Sequence, residues 1–211
     1  MQTLVKSSKI EDLRALAAIL NAGGIVAFPT DTVYGLGAVF DDEKAVDKIF
    51  AAKGRNENKP LSILVSDIGQ VEMLADIGKG EKRENALSLM KAFWPGALTL
   101  IFKKKPGIPD NVTARGDTIG VRMPDLDVTR ELISLVGKPL AAPSANTSGK
   151  RSGVTLEDVL EDLDGKIDAV VDGGRCDIGL ASTVVDMTKD EPLILRQGVI
   201  TKEMMDEAMG R

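Results

Sequence analysis

A cluster of polar side chains follows the first strongly apolar run of the sequence. The run IVAF (residues 25–28) is succeeded by Thr30, Asp31, Thr32 and Tyr34. A turn would explain why the strand ends, but hydroxyls and a carboxylate crowded at one strand end are typical of a binding or catalytic site. Two roles are open for Asp31: it can orient an amine or a hydrated Mg²⁺ ion, or it can cap backbone amides.

A group of cations lies further along, in KGRNENKPL (residues 53–61). Lys53, Arg55 and Lys59 converge on one turn, which favours the binding of a polyphosphate. For Lys53 alone, a cation in the last turn of a helix is the more ordinary interpretation, because it meets the negative end of the helix dipole. The run Lys103–Lys105 is typical of a solvated loop.

A third polar segment, PSANTSGKRSG (residues 143–153), combines hydroxyls, an amide, glycines and two cations. It is either a polar surface loop or a binding loop. It is not a phosphate-binding loop of the Walker type, because Ser144 stands where the first glycine should be and Arg151 follows the lysine. Gly35 and Gly37 do not open a dinucleotide fingerprint either, since Phe40 replaces its third glycine.

Arg122 interrupts an apolar strand between Val121 and Met123. A buried arginine is costly unless it is paired, so it either reaches an edge or meets an anion. Asp117, Asp125 and an acidic ligand are equally good candidates for that anion. Ser182, Thr183 and Arg196 repeat the pattern of polar groups on apolar strands, although a strand Ser or Thr and a surface Arg are also ordinary.

The composition excludes several kinds of chemistry. The chain has 211 residues, no histidine and one cysteine, Cys176, so zinc clusters of Cys and His, Ser-His-Asp triads and disulfides within the chain are impossible. The formal charge of −5 argues against a protein that coats nucleic acid, and few aromatic residues are present for base stacking. No apolar stretch approaches the roughly 20 residues of a membrane helix, and no secretory signal is recognisable, so we expect a cytoplasmic protein.

The elements that must position these groups alternate irregularly between helices and strands. The predicted helices cover residues 8–22 with a capping box at Ser8, 42–53, 67–77, 81–92, 127–136, 155–163 and a segment from 201. The predicted strands cover residues 25–28, 61–65, 97–102, 118–124, 168–172, 182–187 and 192–198. This order lacks strict βαβ alternation and predicts an α/β (α+β) fold, a mixed sheet covered by helices, in one domain over residues 1–211.

Seven segments in this order resemble one family over nearly the whole chain. They are FPTDTVYGLGA, KGRNENKPL, WPGALTL, VRMP, APSANTSG, STVVD and LRQG. Together they resemble the YrdC/TsaC family of threonylcarbamoyl-AMP synthases, in its single-domain form. The resemblance implies a twisted mixed sheet with surrounding helices and a basic concave cleft. It also implies synthesis of threonylcarbamoyl-AMP and pyrophosphate from ATP, L-threonine and bicarbonate or CO₂, with Mg²⁺, and a downstream transferase complex that modifies tRNA.

Carried over by position, the resemblance assigns roles to eleven residues. It implies that threonine contacts Thr32, Arg122, Ala142 and Ser182. It implies that ATP contacts Arg55, Lys59, Thr118, Ser144, Ser152 and Arg196. Lys53, Arg55 and Lys59 are the cations expected to act in catalysis. Where longer relatives have a histidine after the strand, this chain has Leu64, so we expect no polar threonine contact there.

Two other classes of protein fit part of the pattern. One is a binding module for double-stranded RNA or tRNA, in which the cations contact phosphates without catalysis; the acidic total weakens it. The other is a family paralogue that keeps the fold and lacks synthase activity, since one fold serves proteins of different function.

Overall fold

The computed structural model describes residues 2–211, which form a mixed sheet flanked by helices. Its strands, in chain order, are β1 Leu4–Ser7, β2 Val26–Phe28, β3 Gly35–Val39, β4 Ser62–Leu64, β5 Ala75–Asp76, β6 Leu98–Lys104, β7 Thr118–Arg122, β8 Leu140–Ala141, β9 Ala169–Asp172, β10 Thr183–Asp186 and β11 Leu193–Arg196. Its helices are α1 Ile10–Asn21, α2 Glu43–Lys53, α3 Gly69–Leu74, α4 Glu81–Phe93, α5 Asp110–Thr113, α6 Asp127–Val136, α7 Leu156–Leu163 and α8 Lys202–Ala208.

The strands pair in the order β1-β9-β2-β3-β8-β4-β7-β6-β10-β11, with β5 added beside β6. The pairs β1 with β9, β2 with β9, β4 with β7 and β6 with β10 are parallel, and the others are antiparallel. The predicted mixed sheet is therefore confirmed.

The central strands present two different faces, because side chains alternate along a strand. On β6 and β7, residues such as Leu100, Phe102 and Val121 point into the larger hydrophobic core, beneath α2 and α4. A second core packs Leu16 and Leu20 of α1 beside Leu132 and Ile133 of α6. Thr118, Gly120 and Arg122 are offset by one residue from the core positions of β7, and they line a cavity on the opposite face.

Most predicted elements are present with shifted ends. Helix α6 has the predicted bounds, and α2 begins one residue after its predicted start, because Asp42 is the N-cap, whose carboxylate accepts the Ala45 N–H at 3.0 Å. Strand β3 was not predicted, because its residues, GLGAV, lack the alternation of apolar and polar types expected of a half-buried strand; all five are buried.

Two local predictions are wrong. The capping box at Ser8 is absent, since α1 begins at Ile10 after Lys9, which makes no capping bond; instead the Asp12 carboxylate accepts bonds from the N–H and hydroxyl of Ser7. The predicted helix 67–77 is only α3, and the chain then extends as β5 to pair with Lys103 and Lys104 of β6. Tertiary pairing overrode the local helical pattern there.

Among residues 2–211, no helix combines the length and the apolar character needed to cross a bilayer.

Candidate active site

A cavity of about 310 Å³ opens on the polar face of the sheet. Its lining residues come from eight chain segments: 30–35 without Asp31, Arg55, 60–64, Thr99 with Ile101, 118–122, 142–152, 181–184, and Arg196. Three arginines lie in this wall, and the lining residues among positions 2–211 include no Asp or Glu. The cavity is therefore cationic, although the chain as a whole carries a formal charge of −5.

Arg122 lies at the inner wall and is almost fully buried, with 6% of the residue exposed. Its guanidinium donates from Nε to the Gly96 carbonyl oxygen at 2.9 Å, from Nη1 to Thr32 Oγ1 at 2.7 Å and from Nη2 to Asp31 Oδ1 at 2.5 Å. Burial lowers the pKa of Arg122, and the neighbouring Asp31 opposes that shift. Arginine remains charged near neutral pH, so the cation is paired but keeps donors for a ligand.

The observed partner of Arg122 corrects the sequence-based candidates Asp117 and Asp125. Thr118 and Arg122 share one face of β7, and Asp117, one residue before Thr118, is out of step with that face. The Asp117 carboxylate pairs with Lys103 at 2.5 Å and not with Arg122. The Asp125 carboxylate pairs with Arg130 at 3.2 Å. Only the Asp125 backbone N–H reaches the site, where it donates to Asp31 Oδ1 at 3.1 Å.

The hydroxyls of Thr30 and Thr32 form a directed pair. Thr30 Oγ1 donates to the Val33 carbonyl oxygen at 2.7 Å, so its one proton is used. The 2.9 Å bond between Thr30 Oγ1 and Thr32 Oγ1 therefore takes its proton from Thr32. Since Thr32 Oγ1 also accepts from Arg122, it is left with one lone pair and faces a ligand as an acceptor.

A second hydroxyl pair lies across the cavity. Thr99 Oγ1 and Ser182 Oγ are 2.8 Å apart and buried. Arg196 holds Ser182 twice, with Nε donating to its carbonyl oxygen at 3.0 Å and Nη2 to its hydroxyl at 3.1 Å. Thr183 anchors the same segment by accepting the Gly198 N–H at 2.9 Å. The STVVD and LRQG motifs thus form one unit that presents Arg196 and Ser182 together.

The serine-rich loop, residues 143–153, is held from behind by Lys53. The Lys53 ammonium donates to the carbonyl oxygens of Ser144 and Asn146, and only 1% of the residue is exposed. Burial, together with the nearby charge of Arg55, lowers the pKa of Lys53 to about 8. The Lys53 carbonyl in turn accepts the Ser148 N–H at 2.8 Å. Lys53 therefore organises the loop that carries Ser144 and Ser152.

Asp162 of α7 holds the middle of this loop. One carboxylate oxygen accepts the Thr147 N–H at 2.9 Å, and the other accepts from Lys150 Nζ at 2.5 Å. The bond from Lys150, then that from Thr147, lowers the pKa of Asp162. The loop is thus a braced structure, which favours the binding-loop interpretation over a polar surface loop.

All predicted site residues except Lys53 and Lys59 line the one cavity. These are Thr32, Arg55, Thr118, Arg122, Ala142, Ser144, Ser152, Ser182 and Arg196. Lys59 is exposed on the neighbouring turn, where Arg55 Nη2 donates to the Pro60 carbonyl oxygen at 3.1 Å. For Lys53 to contact phosphates, its ammonium would have to leave both carbonyl oxygens. The catalytic roles of Lys53, Arg55 and Lys59 stay predictions.

Sequence reasoning missed Thr99, Gly96 and the part played by Tyr34. Thr99 lies within an apolar strand, and its alternation with Leu98 and Leu100 is the signal that could have found it. Gly96 contributes a backbone carbonyl, which no side-chain pattern reveals. Tyr34 is fully buried, and its hydroxyl donates to the Gly174 carbonyl oxygen at 2.8 Å. Leu64, for which no polar contact was expected, adds an apolar surface to the cavity.

Comparison with known proteins gives this architecture a context. The mixed sheet and the cavity rich in arginines and hydroxyls define an α/β protein whose cavity is suited to anionic groups. The model of the Sua5/YciO/YrdC family, described as telomere recombination, matches residues 18–198. The chain belongs to this family.

Three similar proteins illustrate the relationship. The threonylcarbamoyl-AMP synthase of Bacillus subtilis is 49% identical over 195 residues, which cover 92% of this chain and 55% of that protein. A putative threonylcarbamoyl-AMP synthase of Methanocaldococcus jannaschii is 43% identical over 182 residues, covering 86% of this chain and 83% of that one. The crystal structure of Pyrococcus abyssi Sua5 complexed with L-threonine superposes with a TM-score of 0.92 at 42% identity, covering 99% of this chain and 60% of that chain.

The chain thus spans a little over half the length of the first curated relatives, 55% of one and 57% of the other.

Proposed function

We propose that the chain is an L-threonylcarbamoyladenylate synthase, which makes threonylcarbamoyl-AMP and pyrophosphate from ATP, L-threonine and bicarbonate or CO₂. The observation that supports this proposal most directly is the cavity, where three arginines and several hydroxyls lie on one face of the sheet. The relatives named threonylcarbamoyl-AMP synthase, and the threonine complex of the Pyrococcus abyssi protein, support the same assignment.

In the proposed complex, Arg122 binds the threonine carboxylate. Three of its five N–H groups are bonded to Gly96, Thr32 and Asp31, which leaves one on each terminal nitrogen. Two such donors match the two oxygens of a carboxylate. Thr32, which can only accept, suits the amine of the same ligand. Ala142 and Ser182 complete the predicted threonine contacts.

ATP would occupy the part of the cavity beside Arg55 and Arg196. Partial burial lowers the pKa of both arginines, yet arginine remains charged near neutral pH and can neutralise phosphate oxygens. Thr118, Ser144 and Ser152 add hydroxyl partners, and Lys59 can swing in from the exposed turn. Because the described lining has no carboxylate, Mg²⁺ fits here as an ion carried by the ATP phosphates, where it would neutralise developing charge.

The reaction can proceed without a covalent intermediate on the protein. The threonine ammonium releases one proton to solvent, the free amine attacks the carbon of CO₂, and the nitrogen then releases a second proton to solvent to leave a carbamate. A carbamate oxygen then attacks the α-phosphorus of ATP, and the bond to the β-phosphate oxygen breaks as pyrophosphate leaves. Such transfers depend on alignment and charge neutralisation, which arginines and backbone amides supply. A closed cavity would also protect the short-lived carbamate from water.

The product would serve a transferase complex that moves the threonylcarbamoyl group to tRNA, in the cytoplasm.

The deciding assay incubates the purified protein with ATP, Mg²⁺, bicarbonate and L-threonine and measures pyrophosphate. We expect release that depends on threonine and on bicarbonate. Hydrolysis of ATP that is independent of threonine, or no release at all, would refute the proposal.

A second set of measurements tests the proposed division of the cavity into a threonine part, beside Arg122, and an ATP part, beside Arg55. Arg122→Ala should weaken threonine binding by about 100-fold, because a charged hydrogen-bonded pair is lost, and should spare ATP. Arg55→Ala and Lys59→Ala should do the reverse. Equal losses for both ligands in all three variants would contradict the division.

A further inference from the structure

Asp31 is a buried carboxylate that the proposed reaction does not use. It follows the first motif strand, and 8% of the residue is exposed. Its Oδ1 accepts from Arg122 Nη2 and from the Asp125 N–H, while its Oδ2 has no hydrogen-bond partner among residues 2–211. A buried carboxylate oxygen without a partner is costly, so this arrangement is expected to serve a purpose.

The geometry argues against a direct role of Asp31 in proton transfer. Taken over residues 2–211, the cavity wall includes Thr30 and Thr32 but not Asp31 between them. A general base must come within hydrogen-bond reach of the proton that it removes. The carboxylate is instead turned towards Arg122 and towards the backbone that follows β7.

We propose that Asp31 is a positioning residue that fixes the orientation of the Arg122 guanidinium. An arginine side chain has several rotatable bonds, and each fixed contact reduces the freedom that a ligand would otherwise have to remove. Gly96 holds Nε and Thr32 holds Nη1, so Asp31 supplies the third contact, on Nη2. With all three nitrogens held, the unbonded N–H on each terminal nitrogen keeps a fixed direction.

Asp31 also connects the Arg122 guanidinium to the backbone that follows β7. By accepting the Asp125 N–H at 3.1 Å, it ties the residue after Pro124 to the same oxygen that holds Arg122. The consequence for threonine affinity rests on the proposed function, because it takes the Arg122 ligand to be the threonine carboxylate. The coupling between Asp31 and Arg122 does not depend on that function.

The test compares Asp31→Ala with Asp31→Asn by calorimetric titration of the full chain with threonine and, separately, with ATP. Alanine removes the acceptor, whereas asparagine keeps an oxygen for Arg122 and Asp125 and loses the charge. We expect Asp31→Ala to weaken threonine binding about tenfold and ATP binding less than about twofold. Asp31→Asn should restore threonine affinity to within about threefold of the parent.

The matched control is Asp117→Ala, because Asp117 also pairs with a cation at 2.5 Å, but its side chain is 77% exposed and the pair lies outside the cavity. This variant should leave both affinities unchanged. The proposal is overturned if Asp31→Ala binds threonine like the parent, if it loses both ligands equally, or if the asparagine variant is no better than the alanine variant.

A ligand-free measurement separates this inference from the proposed function. A double-mutant cycle of Asp31→Ala and Arg122→Ala, measured by urea unfolding, should show coupling of about tenfold in the unfolding equilibrium constant. Additive effects would overturn the positioning role even if threonine binds. If the parent binds no threonine but the coupling is present, the proposed function fails and the positioning role stands. If an alanine variant does not fold, Asp31→Ser with Arg122→Lys provides the cycle, because the serine side chain is too short to replace the carboxylate on Nη2.

Discussion

At the scale of single residues, the site depends on hydrogen bonds between neighbouring hydroxyls. Thr99 lines the cavity and is bonded to Ser182, which also accepts from Arg196. If Thr99 supplies the proton of its bond to Ser182, the Ser182 proton is free to donate to a ligand. The identity of a buried strand residue thus sets the hydrogen-bonding state of its neighbour.

This proton arrangement predicts the effect of Thr99→Val, which keeps the branched shape and removes the hydroxyl. We expect threonine affinity to fall about fivefold, since Ser182 loses a buried hydrogen-bond partner, and Thr99→Ser to restore it. Calorimetric titration measures both. Thr188→Val is the control, because the Thr188 hydroxyl bonds to Asp186, and neither residue lines the cavity, taken over residues 2–211. A loss in the control as large as that in Thr99→Val would show a general effect of lost hydroxyls.

Most of the cavity residues could be predicted as single residues, but their partners could not. Arg122 stood out because an arginine inside an apolar strand requires an anion. Its actual partner, Asp31, is 91 positions away in sequence. The sequence offered nearer acids, and the choice among them follows from which face of β7 each one occupies. Long-range partners of this kind depend on strand register, which local pattern does not determine.

At the scale of elements, the LRQG segment approaches the strand before it unusually closely. A Cβ on Gly198 would lie 2.5 Å from the Thr183 nitrogen and 2.6 Å from the Ala181 carbonyl oxygen. These are backbone atoms, so the segment itself must move to accept a side chain. Glycine is required here for space, and the close approach is what brings Arg196 onto Ser182.

Gly198→Ala should therefore destabilise the fold by about 1–3 kcal/mol and weaken ATP binding, because Arg196 moves with the segment. Urea unfolding and ATP titration measure the two effects. Gly69→Ala is the matched control, since a Cβ there would meet only the end of the Asp67 side chain, at 2.9 Å. Unchanged ATP affinity in Gly198→Ala would mean that the segment does not position Arg196.

The bracing of the serine-rich loop by α7 predicts a dependence on pH. The pKa of Asp162 is lowered below its usual 3.8 in the folded state, chiefly by Lys150. Its stabilising contribution is therefore present above about pH 3.8 and is lost as the pH falls through the lower folded value. The parent should lose more unfolding free energy than Asp162→Asn between about pH 6 and about pH 3.

Lys150→Met supplies the check on cause. Lys150 is the largest cause of the lowered pKa of Asp162. Its removal should therefore flatten the stability curve between about pH 6 and about pH 3, although the Asp162 carboxyl group stays in place. Urea unfolding at each pH gives the curves. Parallel curves for the parent and both variants would show that this pair does not contribute to acid sensitivity.

At the scale of the whole molecule, the mixed sheet could be predicted because its helices and strands alternate irregularly along the chain. The strand arrangement that brings the cavity residues together could not be predicted. Strand β3 carries no alternation, and the two-residue strands β5 and β8 are too short to leave a pattern. Yet β3 pairs with both β2 and β8, and so joins the first motif to the serine-rich loop. The resemblance to a family supplied what the periodicity of the sequence lacked.

The contrast between an acidic molecule and a cationic cavity leads to a prediction about salt. ATP should bind about tenfold more weakly when salt rises from about 0.05 M to about 0.5 M, because its phosphates meet several partly exposed cations. In the proposed complex, threonine is a zwitterion bound by the deeply buried Arg122, so its affinity should change less than about twofold. Titrations of each ligand at both concentrations provide the measurement.

The same titrations distinguish the synthase from an RNA-binding module. With a formal charge of −5, the surface outside the cavity repels a polyanion, so a short RNA duplex should bind weakly at physiological salt. Charge reversal at the exposed Lys103 and Lys105 should not alter threonine-dependent pyrophosphate release, because these residues lie outside the cavity lining within positions 2–211. Tight duplex binding that falls steeply with salt, together with threonine affinity that follows the same slope, would place the function in nucleic-acid binding.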